Sequence, residues 1–226
     1  MVYSVKCIFP RNRYLVKLEF ETVISDKVDI QISDEESILL SNPQGISHLT
    51  PTALGELIGV SYERTLLCLH ETDLRNIQLI DFHVFEKADC DLGEKLENGF
   101  ILAQLEIKYI GVCAGVDVGY GLFCTVSPIV AGTFIGEYVG ILCSTRRYVS
   151  STSPASRYSV SYPSCDGGFE IDASEFGNII RFVNHSSSPN AEFRSILMEG
   201  LVHVCCVSFV ESSTQFQPNV CLKIST

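Results

Sequence analysis

The sequence predicts an α+β fold in which a helix-containing N-terminal module of residues 1–105 precedes a mostly β domain of residues 106–211. Two observations predict this division. Stretches with a helical spacing of apolar residues occur in the first half of the chain. Beyond about residue 107, short runs rich in Val, Ile, Tyr and Phe alternate with Gly-containing turns, which is typical of small β-sheets. Residues 212–226 are expected to form an atypical C-terminal tail.

The N-terminal module is predicted to contain two strands and two helices. Residues 14–20 and 28–32 alternate apolar and polar side chains, as half-buried strands do. Thr52 is a suitable N-cap for a helix over residues 53–70, where apolar residues recur at helical spacing. A second helix is predicted over residues 93–108 on the same grounds. No function follows from these elements alone.

The charge of the chain limits the partners that it can bind. Its 226 residues carry a formal net charge of −11 at pH 7. Nucleic acid is an unfavourable direct partner, because its phosphates require a basic surface. A basic, lysine-rich protein is a better electrostatic match. The acidic residues are concentrated in the first half of the sequence, so a solvated acidic surface remains the alternative explanation.

Hydropathy and cysteine content suggest the compartment. No apolar run approaches the roughly 18 residues that a membrane-spanning helix needs, and the N-terminus does not resemble a secretory signal. We therefore expect neither membrane insertion nor Sec-dependent secretion. The 10 cysteines are scattered through apolar segments without Cys-x-x-Cys spacing. They are expected to be buried, reduced thiols in a cytoplasmic compartment, and not disulfides or metal ligands.

The most informative segment is residues 181–190, which read Arg-Phe-Val-Asn-His-Ser-Ser-Ser-Pro-Asn. Upstream of it lie further short blocks in a fixed order: Gly119-Tyr120-Gly121, Gly136-Glu137-Tyr138-Val139-Gly140, Tyr158, Ile171-Asp172-Ala173 and Gly177-Asn178. Together these blocks resemble the motifs of SET-domain protein lysine methyltransferases. The resemblance implies a mostly β SET domain built from short strands in small sheets.

The resemblance implies transfer of a methyl group from S-adenosyl-L-methionine to a lysine of a basic protein, such as a histone or a histone-like protein. In this family the glycine-containing loop and the Asn-His-Ser segment hold the cofactor, and no metal is required. The positions that match are Gly119, Tyr120, Gly121, Arg181, Asn184 and His185. Tyr158 and His185 are the candidate catalytic residues.

The chain lacks the cysteine-rich zinc clusters that often flank SET domains in eukaryotic enzymes. In this respect it resembles the compact bacterial type, particularly the chlamydial proteins that are regarded as effectors acting on histones or histone-like proteins. We therefore expect either a cytoplasmic location or delivery to a host-cell nucleus by a route other than Sec secretion.

The resemblance ends abruptly after Ser208. Family members continue with a Gly-Glu-x-Leu segment that leads to a catalytic Tyr and closes a pseudoknot over the Asn-His-Ser strand. This chain has no Tyr after Tyr162. We therefore predict an atypical or truncated C-terminus and an incomplete pseudoknot. A catalytically impaired SET-like binding or scaffold module, which lacks the terminal Tyr, is the alternative function.

Each motif also has a simpler structural interpretation. The pair Gly119 and Gly121 is common in hairpin turns, and Tyr158 fits an ordinary buried strand. Polar residues within apolar runs are usually satisfied core groups. A thiol enzyme that pairs a cysteine with His185 or His203 is disfavoured, because apolar surroundings raise the pKa of a thiol.

Overall fold

The computed structural model describes residues 2–8, 17–23, 37–68, 77, 85–113, 115–125, 129–145, 158–163, 168–209 and 220–224. Its helices are α1 (Pro51–Ile58), α2 (Cys90–Glu97) and a 3-10 helix (Ile179–Phe182). Its strands are β1 (Val2–Ile8), β2 (Lys17–Val23), β3 (Ile38–Asn42), β4 (Gly45–Leu49), β5 (Ser61–Tyr62), β6 (Leu67–Cys68), β7 (Glu86–Lys87), β8 (Leu105–Cys113), β9 (Val116–Cys124), β10 (Phe134–Glu137), β11 (Ile141–Ser144), β12 (Ser159–Ser161), β13 (Phe169–Asp172), β14 (Phe176–Gly177), β15 (Asn184–His185), β16 (Ala191–Met198), β17 (Leu201–Ser208), β18 (Val220–Cys221) and β19 (Lys223–Ile224). The fold is mostly β with short helices and small sheets, as predicted. Over these residues, neither α-helix has the length and apolar character needed to cross a bilayer.

Helix α1 is shorter than the helix predicted over residues 53–70. Its N-cap is Thr50, whose Oγ1 accepts a hydrogen bond from Ala53 N at 3.2 Å, so the prediction of Thr52 as the cap was wrong. The helix ends because Gly59 adopts a left-handed conformation with φ of 70°. Of the apolar residues in the rest of that predicted helix, Tyr62 lies in β5, and Leu67 and Cys68 form β6.

Helix α2 is likewise shorter than the helix predicted over residues 93–108. Asp89 caps its start by accepting a hydrogen bond from Leu92 N at 2.8 Å. Gly99, with φ of 59°, takes the chain out of the helix. Leu105 and Ile107 are two positions apart, which is the period of a strand, and both are buried on the core face of β8.

The strand predicted over residues 14–20 overlaps β2, which the structure places at Lys17–Val23. Strand β2 pairs antiparallel with β1, with Phe20 opposite Val5. The strand predicted over residues 28–32 lies outside the described residues.

Strands from both halves of the sequence share sheets. The larger sheets have the orders β12-β13-β11-β6-β1-β2, β18-β9-β8-β3-β4 and β10-β17-β16-β7. Two smaller sheets pair β14 with β5 and β15 with β19. In four of these five sheets, hydrogen bonding therefore crosses the change in sequence character near residue 106.

The largest hydrophobic core also draws on the whole chain. It contains Leu40, Leu54, Leu122, Ile180 and Leu222, each of which is at most 2% exposed. Leu222 lies between β18 and β19, so the end of the chain contributes to this core. The packing places β9 against the 3-10 helix and β15 against β19, and the candidate site lies among these elements.

Gly140 is a position at which any side chain should disturb the fold. A Cβ there would lie 2.5 Å from Asp172 O and 2.9 Å from Ala173 N, which are backbone atoms. We expect Gly140→Ala to lower the free energy of unfolding by about 1 to 3 kcal/mol, measured by chemical denaturation. Gly168→Ala is the matched control, because a Cβ at Gly168 meets no atom within 4 Å. Equal stabilities of the two variants would contradict this packing.

Candidate functional site

One pocket of about 230 Å³ collects most of the residues that the sequence singled out. Six of those residues line it, namely Gly119, Tyr120, Tyr158, Arg181, Asn184 and His185. Gly121 is the next residue along β9 and is not among the lining residues. The other lining residues are mostly apolar or aromatic: Val118, Tyr138, Ser159, Val160, Phe182, Val183, Phe193 and Ile224. Sites that enclose a small ligand usually exceed about 300 Å³, so a nucleoside-sized ligand would be held here only in part.

Gly119 leaves the backbone of one pocket wall accessible. Its φ of 72° lies in the left-handed region, where a side chain would be strained. No atom lies within 4 Å of the position that a Cβ would occupy. Gly119 is opposite Gly111 in the β8–β9 hairpin, and the register shifts at Gly111. The glycine is therefore part of an irregular hairpin and also borders the pocket, so the two sequence interpretations are compatible.

Arg181 is held in place by the 3-10 helix that carries it. Asn178 caps this helix, since its Oδ1 accepts a hydrogen bond from Ile180 N at 3.1 Å. The Nδ2 of Asn178 donates to the carbonyl of Glu137 at 2.9 Å, which ties the helix to the end of β10. Because Arg181 follows Ile180 directly, its backbone position depends on this cap.

The guanidinium of Arg181 is buried without full hydrogen bonding. The residue is 8% exposed, and its guanidinium carbon lies 3.7 Å from the centroid of the Tyr158 ring. Its Nε and Nη1 have no hydrogen-bond partner among the described residues. Burial lowers the pKa of Arg181, while Tyr158, Tyr138 and Asp172 oppose that shift. The pocket therefore offers buried N–H donors on a positive group, which suits an anionic ligand.

Tyr138 and Tyr158 are linked by a short hydrogen bond. The Tyr138 hydroxyl donates to the carbonyl of Tyr158 at 2.6 Å, and Ala173 N donates to the same carbonyl at 2.9 Å. Burial raises the pKa of Tyr138 above its ordinary value, so its phenol stays protonated at neutral pH. One face of the Tyr158 ring is covered by Arg181. That face therefore already makes a cation–π contact within the protein.

Asn184 and His185 reach the pocket from β15. The Nδ2 of Asn184 donates to Tyr120 O at 3.4 Å, which connects β15 to β9. Strand β15 pairs in parallel with β19, and Ser186 N donates to Ile224 O at 2.8 Å. Asn184 is half-buried, whereas His185 is exposed at the rim. Asn184 is thus both a structural group, as the simpler interpretation held, and a lining residue.

Eight lining residues were not singled out as site residues from the sequence, among them Tyr138, Phe182, Phe193 and Ile224. Tyr138 belongs to the block of residues 136–140, in which no site residue was predicted, and its ring packs edge to face with that of Phe193 at 5.4 Å. Phe182 contacts the rings of Tyr120 and Tyr158. Phe182 could have been predicted as a lining residue from its place within the Arg-Phe-Val-Asn-His-Ser block. Ile224 carried no signal, because it lies in a polar tail.

The C-terminal residues complete the pocket wall. Leu222 N donates to Leu122 O at 2.7 Å, and Asn184 N donates to Leu222 O at 3.3 Å. The end of the chain therefore lies between β9 and β15, against the Asn-His strand. At this wall the chain presents Ile224, which has no phenol. The terminal Tyr that the resemblance leads one to expect has no equivalent after Tyr162.

The cysteines beside His203 do not form a reactive centre. Burial raises the pKa of Cys206 to about 12 and raises that of Cys205 as well. The Nδ1 of His203 lies 2.7 Å from Glu137 Oε1, and the Cys205 thiol points to the backbone carbonyl of His203. These thiols stay protonated at neutral pH, which argues against a thiol enzyme. Among the described residues, no cluster of His, Cys, Asp and Glu has the makings of a metal site.

Comparison with known sequences identifies the region that contains the pocket. Residues 119–214 match the family model described as "SET domain". The histone-lysine N-methyltransferase ash1 of Drosophila melanogaster is 34% identical over 118 residues, which are 50% of this chain and 5% of that protein. The matched segments cover at most 30% of the length of the first curated relatives.

A solved structure that matches most of the chain supports the fold described above. The structure of ATXR5 in complex with histone H3.1 mono-methylated on R26 has a TM-score of 0.58 and 13% identity, and the match covers 77% of this chain and 84% of that one. The structure of Arabidopsis thaliana SUVH6 in complex with SAM has a TM-score of 0.45 and 27% identity, with 55% of this chain and 27% of that one covered.

Replacing Arg181 by an uncharged residue should not weaken the ligand-free fold. Arg181→Met keeps the length of the side chain and removes a buried charge whose Nε and Nη1 lack hydrogen-bond partners among the described residues. We expect the free energy of unfolding to stay level or to rise by about 1 kcal/mol, because burying an incompletely paired charge is costly. Chemical denaturation measures it, with Arg194→Met at the exposed Glu192 pair as the control. A loss above about 2 kcal/mol would show that Arg181 stabilises the free protein.

Proposed function

Because residues 119–214 match the SET-domain family model and most of the first curated relatives are histone-lysine methyltransferases, we propose that the chain is an S-adenosylmethionine-dependent protein-lysine methyltransferase. The observation that carries the proposal is the buried guanidinium of Arg181, with unpartnered donors, in a pocket walled by tyrosines. The narrower assignment to the bacterial, chlamydial type, the cytoplasmic or host-nuclear location and the effector role stay predictions.

The residues of the pocket fit the cofactor. S-adenosylmethionine combines a carboxylate, a sulfonium and a nucleoside. The free Nε and Nη1 of Arg181 suit the carboxylate, and the open backbone at Gly119 permits close approach of a ligand. Tyr120, Asn184 and His185 would supply the remaining aromatic and polar contacts. When bound, the cofactor supplies an electrophilic methyl group.

The chain's own residues would prepare the lysine. A lysine amine is nearly always protonated at pH 7, because its ordinary pKa is about 10.4. The aromatic and apolar walls exclude water, and this desolvation lowers the pKa of an incoming amine. Hydrogen bonds from Tyr138 and Ala173 fix the carbonyl of Tyr158, and this positions the ring of Tyr158 at the pocket wall. Alignment of the neutral amine then provides much of the rate.

We propose a basic, lysine-rich protein such as a histone as the substrate. The net charge of −11 favours a basic partner over nucleic acid. The structural neighbour ATXR5 was solved in complex with histone H3.1 mono-methylated on R26, and most of the first curated relatives are histone-lysine methyltransferases. These findings support the substrate class and do not specify the lysine.

The part of the pocket wall that is formed by the C-terminal residues favours a second function. Ile224 lines the pocket without a phenol, and no Tyr follows Tyr162 in the sequence. A lysine beside Ile224 would lack that hydrogen-bonding group. The chain would then be a catalytically impaired SET-like module that binds the cofactor or a basic protein without efficient methyl transfer.

Cofactor binding is the first test. S-adenosylhomocysteine at about 100 times its dissociation constant should raise the free energy of unfolding by about 2.7 kcal/mol. Calorimetry gives the dissociation constant and thermal unfolding gives the stabilisation. Arg181→Met should bind much more weakly, whereas Arg194→Met, at the exposed pair with Glu192, should bind like the parent. A folded parent protein that shows neither heat nor stabilisation would reject the proposal.

Methyl transfer separates the two functions. The parent protein with radiolabelled cofactor should label a lysine-rich histone more than an acidic protein. Tyr138→Phe should lower kcat by roughly tenfold, since it removes one buried hydrogen bond worth about 1.4 kcal/mol. Tyr109→Phe is the control, because Tyr109 lies outside the pocket lining and is 39% exposed. Cofactor binding without any label transfer would reject the methyltransferase proposal and support the catalytically impaired module.

A further inference from the structure

A buried ion pair lies behind the pocket. The Nδ1 of His203 on β17 is 2.7 Å from Oε1 of Glu137 on β10. The two side chains are 12% and 4% exposed. Tyr138 N also donates to Val204 O at 2.8 Å, so the pair sits where β10 leaves β17. Neither residue lines the pocket, and the chemistry described above does not use their side chains.

Glu137 is connected to the pocket in two directions. Its carbonyl accepts the Nδ2 of Asn178 at 2.9 Å, and Asn178 caps the 3-10 helix that carries Arg181. On the other side, Glu137 is followed by Tyr138, whose hydroxyl holds the carbonyl of Tyr158 at 2.6 Å. A shift of Glu137 would therefore move both the guanidinium and the tyrosine wall.

We propose that His203 is a positioning residue for the pocket, and that its ion pair with Glu137 fixes the Asn178 cap and Tyr138. The proposal rests on the proposed cofactor-binding function for its affinity readout. A buried ion pair need not stabilise a fold more than an apolar pair would, but removal of one partner leaves an uncompensated charge. Without His203, the uncompensated charge would be that of Glu137. Two hydrogen bonds of Asn178 connect the backbone of Glu137 to the helix that carries Arg181.

The groups around His203 decide when the pair is charged. Burial opposes the imidazolium, but the charge and hydrogen bond of Glu137 and the charge of Glu199 outweigh it and raise the pKa of His203. The pKa of Glu199, in the β16–β17 turn, is raised by burial and by Glu97 at the end of α2. The Cys205 thiol on β17 also has a raised pKa and stays neutral.

The direction of the pH effect follows from these shifts. A histidine with a raised pKa in the folded state contributes stability that is fully present below its unfolded pKa of about 6.5. That contribution is lost as the pH rises through the folded pKa of His203. The ion pair should therefore stabilise the pocket most strongly below about pH 6.5, and less strongly as His203 loses its proton at higher pH.

The test compares His203→Gln, Glu137→Gln and the double variant with the parent. His48→Gln is the matched control, because His48 is an exposed histidine whose ring contacts Ser37. The first readout is the dissociation constant of S-adenosylhomocysteine from about pH 6 to about pH 9, which brackets the ordinary histidine pKa. The second is amide hydrogen exchange of residues 178–185, which needs no ligand.

We expect His203→Gln to bind S-adenosylhomocysteine about tenfold more weakly than the parent at pH 6, a difference of about 1.4 kcal/mol. That ratio should shrink as the pH rises, because the parent histidine then becomes neutral too. Residues 178–185 should exchange faster in His203→Gln. The double variant, which pairs two neutral amides, should recover both readouts and lose the pH dependence, and His48→Gln should match the parent.

A constant affinity ratio across the pH range, or unchanged exchange at 178–185 in a folded His203→Gln, would overturn the role of His203. If that single variant does not fold, the double variant and the parent carry the test, since only the parent should be pH-dependent. An absence of binding in the parent at every pH would reject the proposed function. The exchange readout would still decide the role of His203.

Discussion

The site depends on a buried cation that the fold does not fully satisfy. The Arg181 guanidinium rests on the Tyr158 ring with two N–H donors unpartnered among the described residues. Leaving such donors in a dry pocket costs free energy, so something else must hold the side chain there. The structure supplies that support through the Asn178 cap and the core contacts of Ile180 and Phe182. An anionic ligand would then gain hydrogen bonds that are already oriented.

The supports of Arg181 come from distant parts of the sequence. Glu137 in β10 anchors Asn178, β9 supplies Tyr120 to the pocket, and β15 pairs with β19 at the end of the chain. Strands of the first hundred residues join the same sheets, as β6 does beside β11 and β3 beside β8. A change in any of these elements is therefore expected to affect the pocket through packing, even without contact with a ligand.

The sequence was a good guide wherever a motif ties chemistry to a short stretch of chain. The blocks around Gly119, Tyr158 and Arg181 predicted six residues that meet in one pocket, and the β character of the second half is confirmed. Helix ends were missed because they depend on single residues. Gly59 in a left-handed conformation stops α1, and Leu105 with Ile107 fits a strand as well as the end of a helix. Local patterns do not distinguish these cases without the neighbouring strands.

Other features could not be predicted because they depend on long-range contacts. The pairing of Glu137 with His203 joins residues 66 positions apart, and although Glu137 belongs to a motif block, nothing local indicates that the two residues pair. Ile224 reaches the pocket only because Leu222 is drawn into the core between Leu122 and Asn184. The polar residues before it led to the prediction of an atypical C-terminal tail. The N-terminal sequence likewise did not show that its strands would extend the sheets of the second half.

The central claim is that Arg181 recognises the anionic end of an amino-acid-bearing nucleoside. The most direct test compares S-adenosylhomocysteine with methylthioadenosine, which lacks the amino-acid carboxylate, by calorimetry on the parent protein and on Arg181→Met. The account predicts that the parent binds S-adenosylhomocysteine at least about tenfold more tightly, a difference of about 1.4 kcal/mol, and that Arg181→Met removes this preference. Equal affinities of the parent for both compounds, or an undiminished preference in Arg181→Met, would contradict it.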